Sequence, residues 1–229
     1  MSEEREEYTR ETYPSFGKKY NSERAIISLT SWKARINTVS KTLFSLIQQC
    51  PGFHIVLVLS EEEFPKMCEE LPENLMLFVE NEMIELMFVY KNYKSFKKVL
   101  FTMDKYRDVP VISADDDCIY TCNYAQELYD KWNSLKNKNV VINRRNEYIM
   151  SGPHSLYYGL KNIAIDIIKS LTEHDILKSD DDKYIGFYLK KINYPRFCHS
   201  MKKPPFIFHD ENIPLHNYRE NKWYDICYK

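Results

Sequence analysis

Glycine is scarce in this chain. There are five in 229 residues, where ordinary usage of about 7 % would place roughly 16. Gly17, Gly52, Gly152, Gly159 and Gly186 are so spread that no GxG pair exists. This excludes the dinucleotide fingerprint GxGxxG and the phosphate loop GxxxxGK[ST], both of which need backbone amides bared by glycine. An excess of one charge is also missing. Lys and Arg total 32 against 33 Asp and Glu, which leaves no basic footprint for nucleic acid. No long apolar run occurs. The strongest, Ile55 to Leu59, falls far short of the ~18 residues that cross a bilayer. The first residues, MSEEREEYTRETY, lack the basic start and apolar stretch of a secretory signal. The expected location is the cytoplasm, at most against the inner face of a membrane. The cysteines at 50, 68, 118, 122, 198 and 227 are then expected as free thiols. Cys118 and Cys122 have no second close pair to complete a zinc pattern.

What is present reads as one globular domain. The chain is 44 % apolar and 28 % charged, ordinary for a soluble protein with a sizeable core. Residues 1–24 are polar and acidic and are expected as a loose arm or a solvated helix. Residues 25–229 are expected as the domain, with 25–146 and 147–229 as its two halves.

Ala25 to Thr30 reads as a strand that runs into the polar turn Ser31-Trp32-Lys33. Apolar positions at 39, 43, 46 and 47 give a helix over 38–49, stopped by Cys50-Pro51-Gly52. His54 to Ser60 is a continuous apolar run rich in β-branched residues, as a buried parallel strand should be. A short helix over 61–70 and strands over 75–79 and 86–90 are expected next. Tyr93 to Tyr106 reads as an amphipathic helix, and Val109 to Ala114 as a strand. Helices over 123–135, 162–171 and 180–192, a strand over 140–142, a loop over 147–160 and an edge strand over 204–209 complete the pass. Alternating strands and helices give an α/β fold with a mostly parallel central sheet flanked by helices. Ligands of such sheets lie beyond the carboxyl ends of the strands.

The strand over 109–114 ends in Asp115-Asp116-Asp117. In an extended segment residues i and i+2 share a face, so Asp115 and Asp117 should point together and Asp116 away. Two converging carboxylates at a ligand-bearing edge suit a hard divalent cation, Mg²⁺ or Mn²⁺. A solvated turn with aspartate caps is the structural alternative.

This strand-to-DxD arrangement, in an α/β chain with no glycine loop, resembles the GT-A-type glycosyltransferases. The pattern is similar to those of bacterial polysaccharide and lipopolysaccharide biosynthesis, whose first strand reads SLTS before a basic pair and Ile. Here that is Ser28-Leu29-Thr30-Ser31-Trp32-Lys33-Ala34-Arg35-Ile36. The lysine helix Tyr93 to Leu100, the DDDxxY run Asp115 to Tyr120, a basic residue after the next strand (Arg144) and the acidic pair Asp181-Asp182 follow in the family's order.

The resemblance implies a GT-A-like sandwich and a nucleotide-diphosphate sugar donor, a UDP-sugar first. It also implies a glycan or lipid-linked acceptor and a Mn²⁺ or Mg²⁺ cofactor. Asp115 and Asp117 would hold the metal, with His209 or His216 as the late ligand. Thr30, Arg35, Lys97, Asp115, Asp116 and Arg144 would contact the donor. Asp181 or Asp182 would be the base that activates the acceptor hydroxyl. Acidic residues in a first helical turn also complement the helix dipole without any catalytic role. The glycine-rich acceptor loop of the relatives is reduced here to Ser151 to Gly159. Two other classes fit parts of the pattern. A haloacid-dehalogenase-like phosphatase uses DxDx, but at the end of the first strand of its domain. A non-catalytic cation- or sugar-binding module would keep Asp115 and Asp117 and have no need of Asp181 and Asp182.

Overall fold

The computed structural model describes residues 13–143, 154–199 and 206–208. Its frame is set by strands buried on both faces. Along β2 (Ala25–Thr30), Ala25, Ile27 and Leu29 enter one core layer and Ile26 the other. Strand β3 (Phe53–Ser60) is buried throughout, with Ile55, Leu57 and Leu59 on the first side and Val56 and Val58 on the second. That double burial is why both strands are mostly apolar on their two faces, with an unbroken apolar run over Ile55 to Leu59 in β3.

The other strands are β1 (Ser15–Gly17), β4 (Glu85–Val89), β5 (Val111–Ser113), β6 (Cys118–Tyr120), β7 (Val141–Asn143), β8 (Leu156–Tyr157), β9 (Arg196–Cys198) and β10 (Phe206–Phe208). Eight form one sheet in the order β1-β4-β3-β2-β5-β8-β7-β9, and β10 pairs with β6 in a small ribbon. Strands β4, β3, β2 and β5 run parallel, β7 and β9 are parallel, and β1 and β8 are antiparallel to their neighbours. Helices α1 (Val39–Ile47), α2 (Glu73–Glu80) and α4 (Tyr124–Ser134) cover the first face. Helices α3 (Lys97–Lys105), α5 (Lys161–Ser170) and α7 (Asp181–Lys191) cover the second, and the short α6 (Glu173–Lys178) is closed by a Thr172–Asp175 capping box.

The chain order places the ligand site. From β2 it steps outward to β3 and β4, then crosses back to lay β5 on β2's other side. The connections therefore diverge between β2 and β5, and in an open α/β sheet the crevice opens at such a switch point, beyond the carboxyl ends. Those ends lead into Ser31 to Arg35 and Asp115 to Asp117.

Several expectations are corrected. The segment 75–79 is helical, because Leu75 and Val79 are buried four residues apart while Leu77 is 53 % exposed. The segment 61–70 holds only a single 3₁₀ turn, at Met67–Glu70. From Tyr13 onward the polar arm joins the sheet. Tyr13 is buried with its hydroxyl 2.9 Å from Asp104 Oδ2, and β1 pairs with β4. Gly17 permits that pairing, since at φ +81° a Cβ would sit 2.5 Å from the Ile84 carbonyl oxygen. Among the described residues Cys50, Cys68, Cys118, Cys122 and Cys198 are free thiols. Among them too, no helix is long and apolar enough to cross a membrane.

Candidate active site

Beyond the end of β5 the aspartates leave the extended conformation and turn at Asp116-Asp117. The alternation expected of a strand is lost, and Asp116 and Asp117, not Asp115 and Asp117, turn to a common partner. Asp116, the most buried of the three, accepts from Ser31 Oγ at 2.7 Å and from Arg35 Nη1 at 2.6 Å. The same Nη1 lies 3.1 Å from Asp117 Oδ2. Asp116 and Asp117 therefore share one guanidinium, and Asp115 turns elsewhere. Arg35 is 2 % exposed, so its charge is spent on these carboxylates. Burial pushes the Asp116 carboxyl up, against the pull of Arg35 and Ser31.

Asp115 Oδ1 lies 2.7 Å from Lys98 Nζ, and His154 Nε2 is 3.9 Å from its other oxygen. Its backbone N–H donates to the Tyr120 hydroxyl at 2.7 Å, and that hydroxyl lies 3.0 Å from His154 Nδ1. Burial raises the Asp115 carboxyl, but Lys98 and His154 override this and hold it below the ordinary range. His154 adopts φ +76°, a sparsely populated conformation that marks local strain.

The late acidic pair arrives at the same place. Asp181, 4 % exposed, brings Oδ2 within 3.3 Å of Lys98 Nζ. Asp182 follows in the first turn of α7, with Oδ1 buried and without a hydrogen-bond partner among the described residues. Burial and the adjacent charge of Asp181 push its carboxyl well above the usual carboxylate range. Burial alone would favour the neutral amine at Lys98, yet Asp115, Asp181 and Asp182 hold it as an ammonium.

Thr30 is half-buried and donates to the Val58 carbonyl at 2.6 Å. Lys97 is buried and bound to Glu63 at 3.0 Å and Asn92 at 2.7 Å, so its hydrogen bonds go to these two, while Asp116 acts on it only through its charge. Arg144, His209 and His216 lie outside the described residues. Sequence reasoning placed Ser31, Lys98 and Tyr120 within its motifs but gave neither them nor His154 a role in the site. Lys98 stands beside Lys97 in the same helix, and only packing tells which of two consecutive lysines turns to the site. A surface groove of about 930 Å³, lined by Phe44, Leu77, Phe78, Met83 and Ile119, touches this site only through Tyr120.

Among the described residues no group of three or more His, Cys, Asp or Glu side chains is placed to hold a metal ion. Asp115 and Asp117 nevertheless offer hard oxygen donors, with side chains 26 % and 17 % exposed. This suits Mg²⁺ or Mn²⁺, since Mg²⁺ usually takes one or two carboxylates and completes its shell with substrate phosphates and water.

No family model and no curated protein matches the sequence. Solved structures do match in fold. A cytidylyltransferase from Leptospira borgpetersenii serovar Hardjo-bovis is 9 % identical with a TM-score of 0.51, over 80 % of this chain and 78 % of that one. The mannosyltransferase PcManGT from Pyrobaculum calidifontis, in complex with GDP-Man and Mn²⁺, is 11 % identical with a TM-score of 0.50, over 81 % of this chain and 56 % of that one. The glycosyltransferase GlyE of Streptococcus pneumoniae TIGR4 is 17 % identical with a TM-score of 0.47, over 77 % of this chain. This chain spans only 45 % of GlyE's length. The chain has the mixed α/β fold, with a large and mostly parallel sheet between helices, that the cytidylyltransferase and the mannosyltransferase share.

Proposed function

We propose that this protein is a metal-dependent glycosyltransferase of the GT-A kind. It would move a hexosyl group from a nucleotide-diphosphate sugar, a UDP-sugar first, to a glycan or lipid-linked acceptor of bacterial polysaccharide or lipopolysaccharide synthesis. It would work in the cytoplasm or at the inner face of the membrane. The observation that carries this reading is the convergence on Lys98 of carboxylates 66 positions apart, Asp115 and Asp181, at the switch point of the sheet. A solvated aspartate turn has no reason to recruit a second acidic pair into a buried position beside it. The described neighbours in fold include a mannosyltransferase holding GDP-Man and Mn²⁺.

In this reading 25–146 forms the donor half and 147–229 the acceptor half. Asp115 and Asp117 would hold Mg²⁺ or Mn²⁺, with His209 as a further ligand. The cation would supply Lewis-acid stabilisation of the departing diphosphate. Asp116 and Arg35 fix the turn that presents those carboxylates, while Thr30, Lys97 and Arg144 would border the donor. The bond from the anomeric carbon to the phosphate oxygen breaks, and its electron pair leaves on the nucleoside diphosphate. The acceptor oxygen bonds to the anomeric carbon, and its proton passes to a carboxylate of the late pair. Asp182 is the better base of the two, because Asp181 is held in an ion pair by Lys98.

The test is a thermal-shift and calorimetry panel of UDP-, GDP- and CMP-sugars with Mn²⁺, since a true donor stabilises the fold by mass action. One nucleotide sugar should raise the melting temperature and release its nucleotide slowly to water. Turnover of p-nitrophenyl phosphate with no nucleotide affinity would instead favour the phosphatase reading. Here the triplet follows the fourth of the sheet's parallel strands in chain order rather than the first. Cation binding without turnover would favour the non-catalytic module.

A further inference from the structure

Lys98 stands between two acidic groups that the chain delivers separately. Its Nζ is 2.7 Å from Asp115 Oδ1, just past β5, and 3.3 Å from Asp181 Oδ2, at the start of α7. Its side chain is 5 % exposed. The helix that carries it is pinned to the strand at the switch point, because Ser28 Oγ of β2 donates to the Lys98 carbonyl and lies 2.7 Å from Thr102 Oγ1. Phe96, Val99 and Leu100 around it are fully buried. The ammonium therefore sits at a point fixed by the sheet, and the two carboxylates are located by reference to it. The neighbouring Lys97 is engaged by Glu63 and Asn92, so α3 gives this task to one lysine alone.

A simple ion pair would need one carboxylate. Two, with Asp182 close behind them, are more than a single pair requires. Burial and double engagement also leave Lys98 poorly placed to bind a phosphate directly, which is the usual task of a lysine in a phosphate-handling site.

We propose that Lys98 is a positioning residue of the transfer reaction, tying the donor-side carboxylate Asp115 to the acceptor-side carboxylate Asp181 so that the two reacting partners meet in register. This rests on the glycosyltransferase reading and adds to it the coupling between the two halves of the site. Lys98 itself exchanges no proton and forms no bond with substrate. Register of this kind acts on the chemical step, where a misplacement of about 1 Å can cost on the order of 100-fold in rate.

The experiment has two arms. In the first, Asp115→Asn and Asp181→Asn are made in the wild-type and Lys98→Met backgrounds and titrated with urea. Each should destabilise the wild type, where it breaks a pair, and stabilise Lys98→Met, where it relieves repulsion between uncompensated carboxylates. If Lys98→Met alone does not fold, recovery of folding in the two double variants is the same result. In the second arm, hydrolysis of the nucleotide sugar identified by the panel is followed in Lys98→Met and Lys98→Arg. The kcat of Lys98→Met should fall about 100-fold with KM for the sugar nucleotide changed less than about threefold, and Lys98→Arg should recover about tenfold of the loss.

Asp181→Asn keeping the same sign in both backgrounds overturns the proposal, and so does a rise in KM with kcat unchanged. If the wild type neither binds nor hydrolyses any sugar nucleotide, the functional reading falls and the role of Lys98 in transfer falls with it. A same-sign cycle in an active enzyme overturns the role of Lys98 alone.

Discussion

Glu85 opens β4 at 2 % exposure, so bulk solvent does little to satisfy its charge. Three side chains do so instead. His54 Nε2 lies 2.6 Å from one carboxylate oxygen, Lys105 Nζ lies 2.6 Å from the other, and the Tyr106 hydroxyl donates as well. Burial by itself would raise the carboxyl, but these partners outweigh it and push it from 4.5 down to about 2. A group that titrates near 2 when folded and near 4.5 when unfolded contributes about 3 kcal/mol at neutral pH, at about 1.4 kcal/mol per tenfold change in proton affinity. Because the folded value is the lower one, this stability is present above pH 4.5 and drains away as the pH falls toward 2. It is a large share of the ~5–15 kcal/mol typical of a domain. Glu85→Gln keeps the shape and removes the charge. Urea titrations of both proteins at several pH values isolate this one group from every other carboxylate. The variant should be less stable by about 3 kcal/mol at pH 7, with the gap narrowing to about 1 kcal/mol near pH 2.5 and the m-value unchanged. A gap that stays constant from pH 7 to pH 2.5, or no gap at pH 7, would refute the reasoning.

Arg35→Met should cost about 3–5 kcal/mol, because it strands the buried Asp116 and weakens the hold on Asp117. Urea denaturation would measure it, and Arg35→Met/Asp116→Leu should recover much of the loss. Gly17→Ala should cost about 1–3 kcal/mol from its positive φ and its clash with the Ile84 carbonyl, with amide exchange speeding up first along β1. Chelation by EDTA should abolish nucleotide-sugar affinity in calorimetry, and Mn²⁺ or Mg²⁺ should restore it. Asp182→Asn should lower kcat for transfer by about 100-fold or more while leaving nucleotide affinity within a fewfold.

The parallel strands were the most legible part of the fold, because burial on both faces makes β2, β3 and β5 rich in β-branched and other apolar residues. The long helices were nearly as clear from their apolar spacing. Reading failed where the local signal was short or ambiguous. The stretch Leu75 to Val79 is uniformly apolar, so period alone could not separate a helix from a strand, and only the burial of positions 75 and 79 decides it. Strand β8 is two residues long yet lies fully buried between β5 and β7, and its serine, proline and tyrosine surroundings read as a loop. In the site, the family resemblance grouped Asp115 and Asp181 in one pattern, and the fold brings both to Lys98. The direction of each carboxylate was not legible, because a turn at Asp116 replaces the strand geometry from which it was inferred. His154 gave no signal at all: its place beside Tyr120 follows from a backbone conformation that few residues adopt.

The scarcity of glycine and the geometry of the site bear on the same electrostatic problem. Around the carboxyl ends of β2 and β5 stand the carboxyl groups of Asp115, Asp116, Asp117, Asp181 and Asp182, and the Lys and Arg side chains paired with them among the described residues are Arg35 and Lys98, with His154 3.9 Å from Asp115. Both cations are buried and already engaged, and Lys97 is committed to Glu63. An edge built this way repels a nucleotide diphosphate. A glycine loop would answer with a row of backbone amides, but the five glycines are too scattered to form one. Among the described residues no free cation faces this edge, so a diphosphate would be brought here by positive charge added from outside, and Asp115 and Asp117, each with part of its carboxylate open to solvent, are where a divalent cation would enter. Arg35 and Lys98 then serve the arrangement by holding the acidic edge rigid rather than by meeting the phosphates. Substituting either should weaken the fold more than it weakens nucleotide binding.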